Sequence, residues 1–209
     1  VYYLFNGDTV AAGSWPAWFG TVSAFGTAFF VIPIVTKLSE KFGKKNAFII
    51  ATLLSVIGYA LKWWGFNPEY PWLMFMPIPF LSFGIGGLFT LMMSMTADVC
   101  DLDELNNSER REGMFGAVYW WMVKLGIAIA MLTSGVVLHY IGFNEAVQVQ
   151  TAETLTNLRI ADIVIPIIAA FIAIILVWKY DITESKATEI REALIARRGK
   201  VKHQGDNGN

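Results

Sequence analysis

Apolar residues fall along this chain in long blocks rather than in narrow stripes. Trp15 to Thr36 is about 22 residues without a charge, enough at about 1.5 Å per residue to cross a hydrocarbon core of roughly 30 Å. Further blocks lie at 47–65, 71–97, 113–141 and 158–180, each apolar on all sides, as a helix surrounded by lipid and other helices requires. Residues 1–7 read as the end of an earlier, truncated span. Together 15–180 predict an all-α integral membrane bundle of five full helices, followed by a polar tail over 181–209. Within the tail, Ile190, Leu194 and Arg197 at helical spacing predict a short helix between Thr183 and Arg198, and His203 to Asn209 is expected to be unstructured. Pro33, Pro77, Pro79 and Pro166 fall inside spans, where they predict bends rather than ends.

The polar residues between the blocks set an orientation. Of the 16 Lys and Arg, all but Lys62, Lys124 and Arg159 fall at one end of the bundle, in the loop after the first span, in the loop after the third, and after the fifth. The positive-inside rule makes that end cytoplasmic, which predicts a multi-pass protein of the cell membrane with a cytoplasmic C-terminus. Trp15, Trp18, Trp63, Trp64 and Trp72 then form an aromatic belt at the opposite interface. The basic tail is expected to be a solvated segment that helps to fix this topology, with anionic head groups as the alternative contact.

Composition narrows the function classes. The chain is 55% hydrophobic and 16% charged, far from the mix of soluble domains, and a net charge of −1 gives no footprint for nucleic acid. Cys100 is the single cysteine, so neither an intrachain disulfide nor a Cys-based zinc site can form, and no cofactor or resident metal is expected. One Cys and two His in no recognisable catalytic pattern argue against a membrane enzyme.

Two polar segments carry candidate chemistry. The first, Thr36 to Lys45, places Glu40, Lys41, Gly43, Lys44 and Lys45 in a short connection where glycine allows a tight turn and acid and base can pair across helix ends. The second is Ala97 to Gly116, ADVCDLDELNNSERREGMFG, with Asp98, Asp101, Asp103, Glu104, Arg110, Arg111 and Glu112. It lacks the Asp-x-Asp-x-Asp-Gly order of a calcium loop, and no Gly occurs between Asp98 and Glu112. It is either a solvated connection or a gate of Arg–carboxylate pairs at the cytoplasmic end, and the gate accounts better for the paired signs. In the third span Gly84, Gly86 and Gly87 suit close packing, and Gly86, Thr90 and Ser94 share a face. Lys124 lies about 16 Å into the fourth span, where a lysine costs at least about 2.5 kcal/mol unless paired or wetted. Trp120 and Trp121 precede it by one turn on the same face. Its alternative role is structural, paired with a carboxylate such as Asp162; His139 and Asp162 themselves read as interfacial or packing residues.

The loop of Glu40 to Lys45 is similar to the Gly-x-x-x-Asp-Arg-x-Gly-Arg-Arg motif of the major facilitator superfamily, with Thr36 at the first Gly and Lys for each Arg. The acidic segment resembles that of the glycoside-pentoside-hexuronide:cation symporters, in which Ala-Asp-x-x-Asp-Tyr-Asp-Glu precedes Arg-Arg-Glu-Gly. Leu102 replaces the aromatic, and Asn107-Ser108 a common Thr-Gly. The resemblance extends over the whole chain and implies the C-terminal six-helix bundle of a twelve-helix transporter, its first helix truncated. It further implies import of a sugar or glycoside coupled to sodium or protons, by alternating access between two bundles. A major facilitator transporter of another solute, such as a lysophospholipid, is the alternative. Implied partners are the lipid bilayer, the sugar, and the missing N-terminal half, which would hold most cation ligands. The implied substrate residues are Phe89, Thr90, Trp120 and Trp121, and Lys124 is the implied coupling residue.

Overall fold

A computed structural model describes the backbone of residues 1–206 and side chains through Arg198. The structure is helical, with no strand among the described residues, and opens on two short turns, α1 (Tyr2–Phe5) and α2 (Thr9–Ala12). Asp8 caps α2 by accepting from the amides of Val10 and Ala11 at 2.8 and 2.9 Å. The first long span is continuous but not uniform. It runs as α3 (Trp15–Gly26), a π-helical turn over Thr27–Val31, and α4 (Ile32–Phe42). Pro33 lies two residues past the end of the π turn. The residues behind a proline are where the ordinary hydrogen-bond ladder is hardest to keep.

Gly43, at φ 78° and ψ 157°, ends α4 and begins α5 (Lys44–Gly65), a reversal in one residue that a side chain would strain. A short 3₁₀ turn (Pro71–Phe75) leads into α6 (Ile78–Asn107). Pro77 and Pro79 therefore mark a helix start rather than a bend: they occupy the first turn, whose amides have no intrahelical acceptor anyway. Pro166 does lie inside its helix, α8 (Ala152–Trp178). Between them runs α7 (Glu112–Tyr140), and the chain finishes with α9 (Glu184–Asp206). The backbone is thus helical through His203 to Asp206, where the sequence predicts no structure; residues 207–209 lie outside the described residues. Five helical stretches have the length and apolarity to cross a membrane, bounded by Thr9–Phe42, Lys44–Gly65, Pro71–Asn107, Glu112–Tyr140 and Ala152–Trp178.

Glycine decides the closest helix contact. A Cβ on Gly58 of α5 would lie 2.7 Å from the backbone nitrogen of Leu81, and on Gly84 or Gly87 of α6 it would lie 2.7 Å from Ser55 or Ala51. Small residues on both helices let the backbones meet, which is how membrane helices gain contact without a hydrophobic driving force. Around this seam Val31, Val35, Phe48, Leu91, Met95 and Val177 form the main core. Gly58→Ala in the full-length protein is expected to cost about 1–3 kcal/mol, because a backbone atom cannot swing aside. Gly20→Ala, with nothing within 4 Å of the added atom, should change stability by less than about 0.5 kcal/mol. Thermal unfolding in detergent checks both; equal midpoints for the two variants would contradict the seam.

α7 is the least covered of the five spans, with no residue buried. α9 is not a free tail. Ile182, Ala187, Ile190 and Leu194 pack as a second small core against Val99, Leu102 and Leu105 of α6 and against Tyr180. The apolar stripe on an otherwise polar helix needs a partner face, and the extended end of α6 supplies it.

Candidate functional site

The helical backbone of α6 continues ten residues past the predicted span, so most of the acidic segment is helix and not loop. Asp98 is the consequence. Its side chain is 1% exposed, and it accepts from Lys44 Nζ at 2.5 Å, Arg191 Nη2 at 2.9 Å and the Tyr180 hydroxyl at 3.3 Å. A buried carboxylate is tolerable only with such partners. Lys44 comes from the loop motif and Asp98 from the acidic segment, so one contact joins the two motifs. The acid of the loop motif, Glu40, forms no ion pair among the described residues; the pairing across helix ends runs through Lys44. Its neighbour Lys45 donates to the Trp178 carbonyl at 2.5 Å and sits over the Trp178 ring, satisfying the C-terminal end of α8. Lys41 lies over Phe42.

The remaining members of the acidic segment form a second network. Arg111 grips Asp103 with two parallel bonds of 2.7 and 2.9 Å. Arg110 bonds Glu104 at 2.8 Å, contacts Glu112, and approaches Asp101 at 3.7 Å. Hydrogen bonds to Glu112 and then Glu104 hold the Arg110 guanidinium above its ordinary pKa, so it stays charged throughout the physiological range. Ser108 turns the chain here in the left-handed region at φ 60°, where glycine is commoner.

Four residues in this region were not singled out from the sequence as site residues: Tyr180, Arg191, Arg197 and Arg198. Arg197 donates to the carbonyls of Glu104 and Leu105 at 3.1 and 2.8 Å and to Ser108 Oγ at 3.2 Å, capping α6, while Arg198 bonds both Glu104 oxygens at 2.8 and 2.9 Å. The expectation of a solvated basic tail is corrected accordingly: Arg197 and Arg198 close the end of α6. The apolar stripe of Ile182, Ala187, Ile190 and Leu194 was the available signal.

The midspan candidates stand apart. Thr90 lines a cavity at the charged end with Ser94, Ser39 and Lys44. Phe89 is 39% exposed on α6, and Trp120 and Trp121 are 48% and 62% exposed on α7. Lys124 is exposed and makes no ion pair among the described residues; the carboxylate named as its alternative partner, Asp162, pairs with Lys62 of α5 instead. Nearby, Arg159 packs over Trp63 at 4.2 Å and Tyr3 at 4.9 Å, placing these cations among the rings of the aromatic belt. His139 meets the edge of Tyr140. No cluster of metal-ligating side chains occurs among the described residues.

The sequence profile described as MFS/sugar transport protein matches residues 1–184. The chain is 30% identical to the glucuronide carrier protein homolog of Escherichia coli over 82% of this chain and 37% of that protein. It is 29% identical to an uncharacterised symporter of Synechocystis, over 82% of this chain and 32% of the relative. It is also 29% identical to YagG of E. coli, whose name describes a glycoside/cation symporter, over 52% and 24%. The chain thus spans about a third of the length of the first two of these relatives. The profile match over most of the chain, the shared helices and the charged motifs agree: this chain belongs to the sugar transport family of the major facilitator superfamily, in its glycoside-pentoside-hexuronide branch.

Proposed function

We propose that the chain is the C-terminal bundle of a symporter that imports a sugar or glycoside, driven by a sodium or proton gradient through alternating access. The observation that carries this is Lys124. It sits midway along a spanning helix with no carboxylate partner among the described residues, on α7, none of whose residues is buried. A charge at that depth calls for a hydrated cavity or an acid on a facing bundle. Both are what a transporter built of two bundles around a midplane site supplies. Phe89, Trp120 and Trp121 offer ring faces to the apolar side of a sugar, and Thr90 a hydroxyl to its polar edge. The names of the glucuronide and glycoside relatives support the substrate class. The charged end, with α9, is cytoplasmic on the distribution of Lys and Arg.

Uptake of radiolabelled glucuronides and methyl glycosides into vesicles containing the full-length protein tests the proposal. Accumulation that collapses when the sodium and proton gradients are abolished is the expected result; gradient-independent entry, or none, would overturn it.

In this proposal the ion pairs of Arg110 and Arg111 close the cytoplasmic end in the outward-facing state. Neutralising both is expected to shift the population toward opening at that end, seen as roughly fivefold or greater acceleration of cytoplasmic labelling at cysteines placed in the cavity. Unchanged labelling from both faces would count against a gate.

A further inference from the structure

Four residues of α6, Gly86, Thr90, Ser94 and Asp98, recur at every fourth position and so share one face. Two of them are fully engaged. Gly86 holds α6 against the π turn, where an added Cβ would come within 2.9 Å of Val31 and 3.0 Å of Thr27. Asp98 is closed off by Lys44, Arg191 and Tyr180. Between these two anchors the face borders a cavity of about 250 Å³ shared by α4, α6 and α9. We propose that this cavity is an exit subsite for a hydroxyl-rich sugar, a hydrated antechamber between the midspan residues and the charged end, with α9 as its floor. The inference rests on the sugar-transport proposal above.

Three properties of the walls support it. The hydroxyls of Ser39, Thr90 and Ser94 make no hydrogen bond among the described residues, whereas Thr36 and Thr96 turn theirs back to the carbonyls of Ile32 and Met92 at 2.9 and 2.8 Å. Free hydroxyls in a recess call for water or a ligand hydroxyl. The volume matches about eight waters at their liquid share, most of which a single sugar ring would displace. The rim is charged as well: Lys44 and Arg191 are held by Asp98, and Glu40 and Glu184 line the same recess as carboxylate acceptors for sugar hydroxyls. A site of that kind holds a polyhydroxyl solute weakly, as release requires.

The test uses the full-length protein with Cys100→Ala and a single new thiol, Ser94→Cys, or Ser39→Cys on the facing helix should the first fail to insert. Val35→Cys, at a core position 0% exposed and outside the cavity lining, is the reference. A small methanethiosulfonate reagent should modify Ser94→Cys or Ser39→Cys at least about tenfold faster than Val35→Cys, and adding Arg191→Gln should quicken the reaction about fivefold or more by loosening the floor. p-Nitrophenyl β-D-glucuronide or a methyl glycoside, whichever the protein accumulates, should slow it. Reaction no faster than at Val35→Cys, or reaction that an accumulated sugar leaves unprotected, overturns the exit subsite while the transport proposal stands. Absence of any sugar accumulation by the unmodified protein sinks both.

Discussion

Lys124→Ala in the full-length protein is expected to reduce gradient-driven accumulation to the undriven level, while part of the equilibrium substrate binding survives. An ammonium at this depth is retained against a cost of at least about 2.5 kcal/mol, so its removal should release a comparably strong interaction with groups beyond this chain. If the lysine neutralises carboxylates vacated by the coupling cation, its loss uncouples the two fluxes and leaves the sugar contacts in place. If it donated directly to sugar oxygens, binding itself would vanish, which separates the two roles in one experiment. Lys124→Arg should rescue neither function, since the planar guanidinium needs a wider site. Binding and accumulation are measured with and without a sodium or proton gradient. A folded, inserted Lys124→Ala protein that accumulates substrate normally would make the residue structural.

Asp98→Ala carries the largest expected effect on stability. Its removal leaves Lys44, whose side chain is 9% exposed, without its counter-charge, and breaks the link from α6 to Arg191 on α9. Breaking a buried pair from one side costs about 3–5 kcal/mol, most of it the stranded charge. Replacing Lys44 as well, with Leu, should recover part of the loss, because the stranded charge goes with it. Thermal unfolding of the single and double variants measures this, and trypsin cleavage at Arg191 and Arg197 reports release of α9. Wild-type stability and protease resistance in Asp98→Ala would refute the role given to the hub.

The membrane spans were legible because their signal is one of mean hydropathy, which survives any detail of packing. The ion pairs of Arg110 and Arg111 were legible for a similar reason: both lie within about ten residues of their carboxylates, so sequence proximity nearly determines contact. Asp98 was not legible in its true role. It was grouped with its neighbours by composition, but on α6 it turns away from Asp103, toward Lys44 and Arg191, which lie 54 and 93 residues distant. Nothing in local spacing reports such a contact. The fate of Asp162 shows the same limit: depth along the chain made Lys124 a candidate partner, and only the packing of α5 against α8 selects Lys62. The π turn before Pro33 packs Thr27 and Val31 against Gly86, a contact that periodicity does not report.

The partners of Asp98 also impose an order on biogenesis. Lys44 has already left the ribosome when α6 is made, but Tyr180 and Arg191 follow 82 and 93 residues later. At about 5–20 residues per second, α6 waits some 5–20 s with its carboxylate half matched before α9 arrives to complete the set. A nascent chain that stalls in that interval keeps an incompletely neutralised acid and a bare apolar strip on the end of α6. The arrival of α9 removes both at once, so the helix that follows the spans also completes the charge matching of the one it packs against.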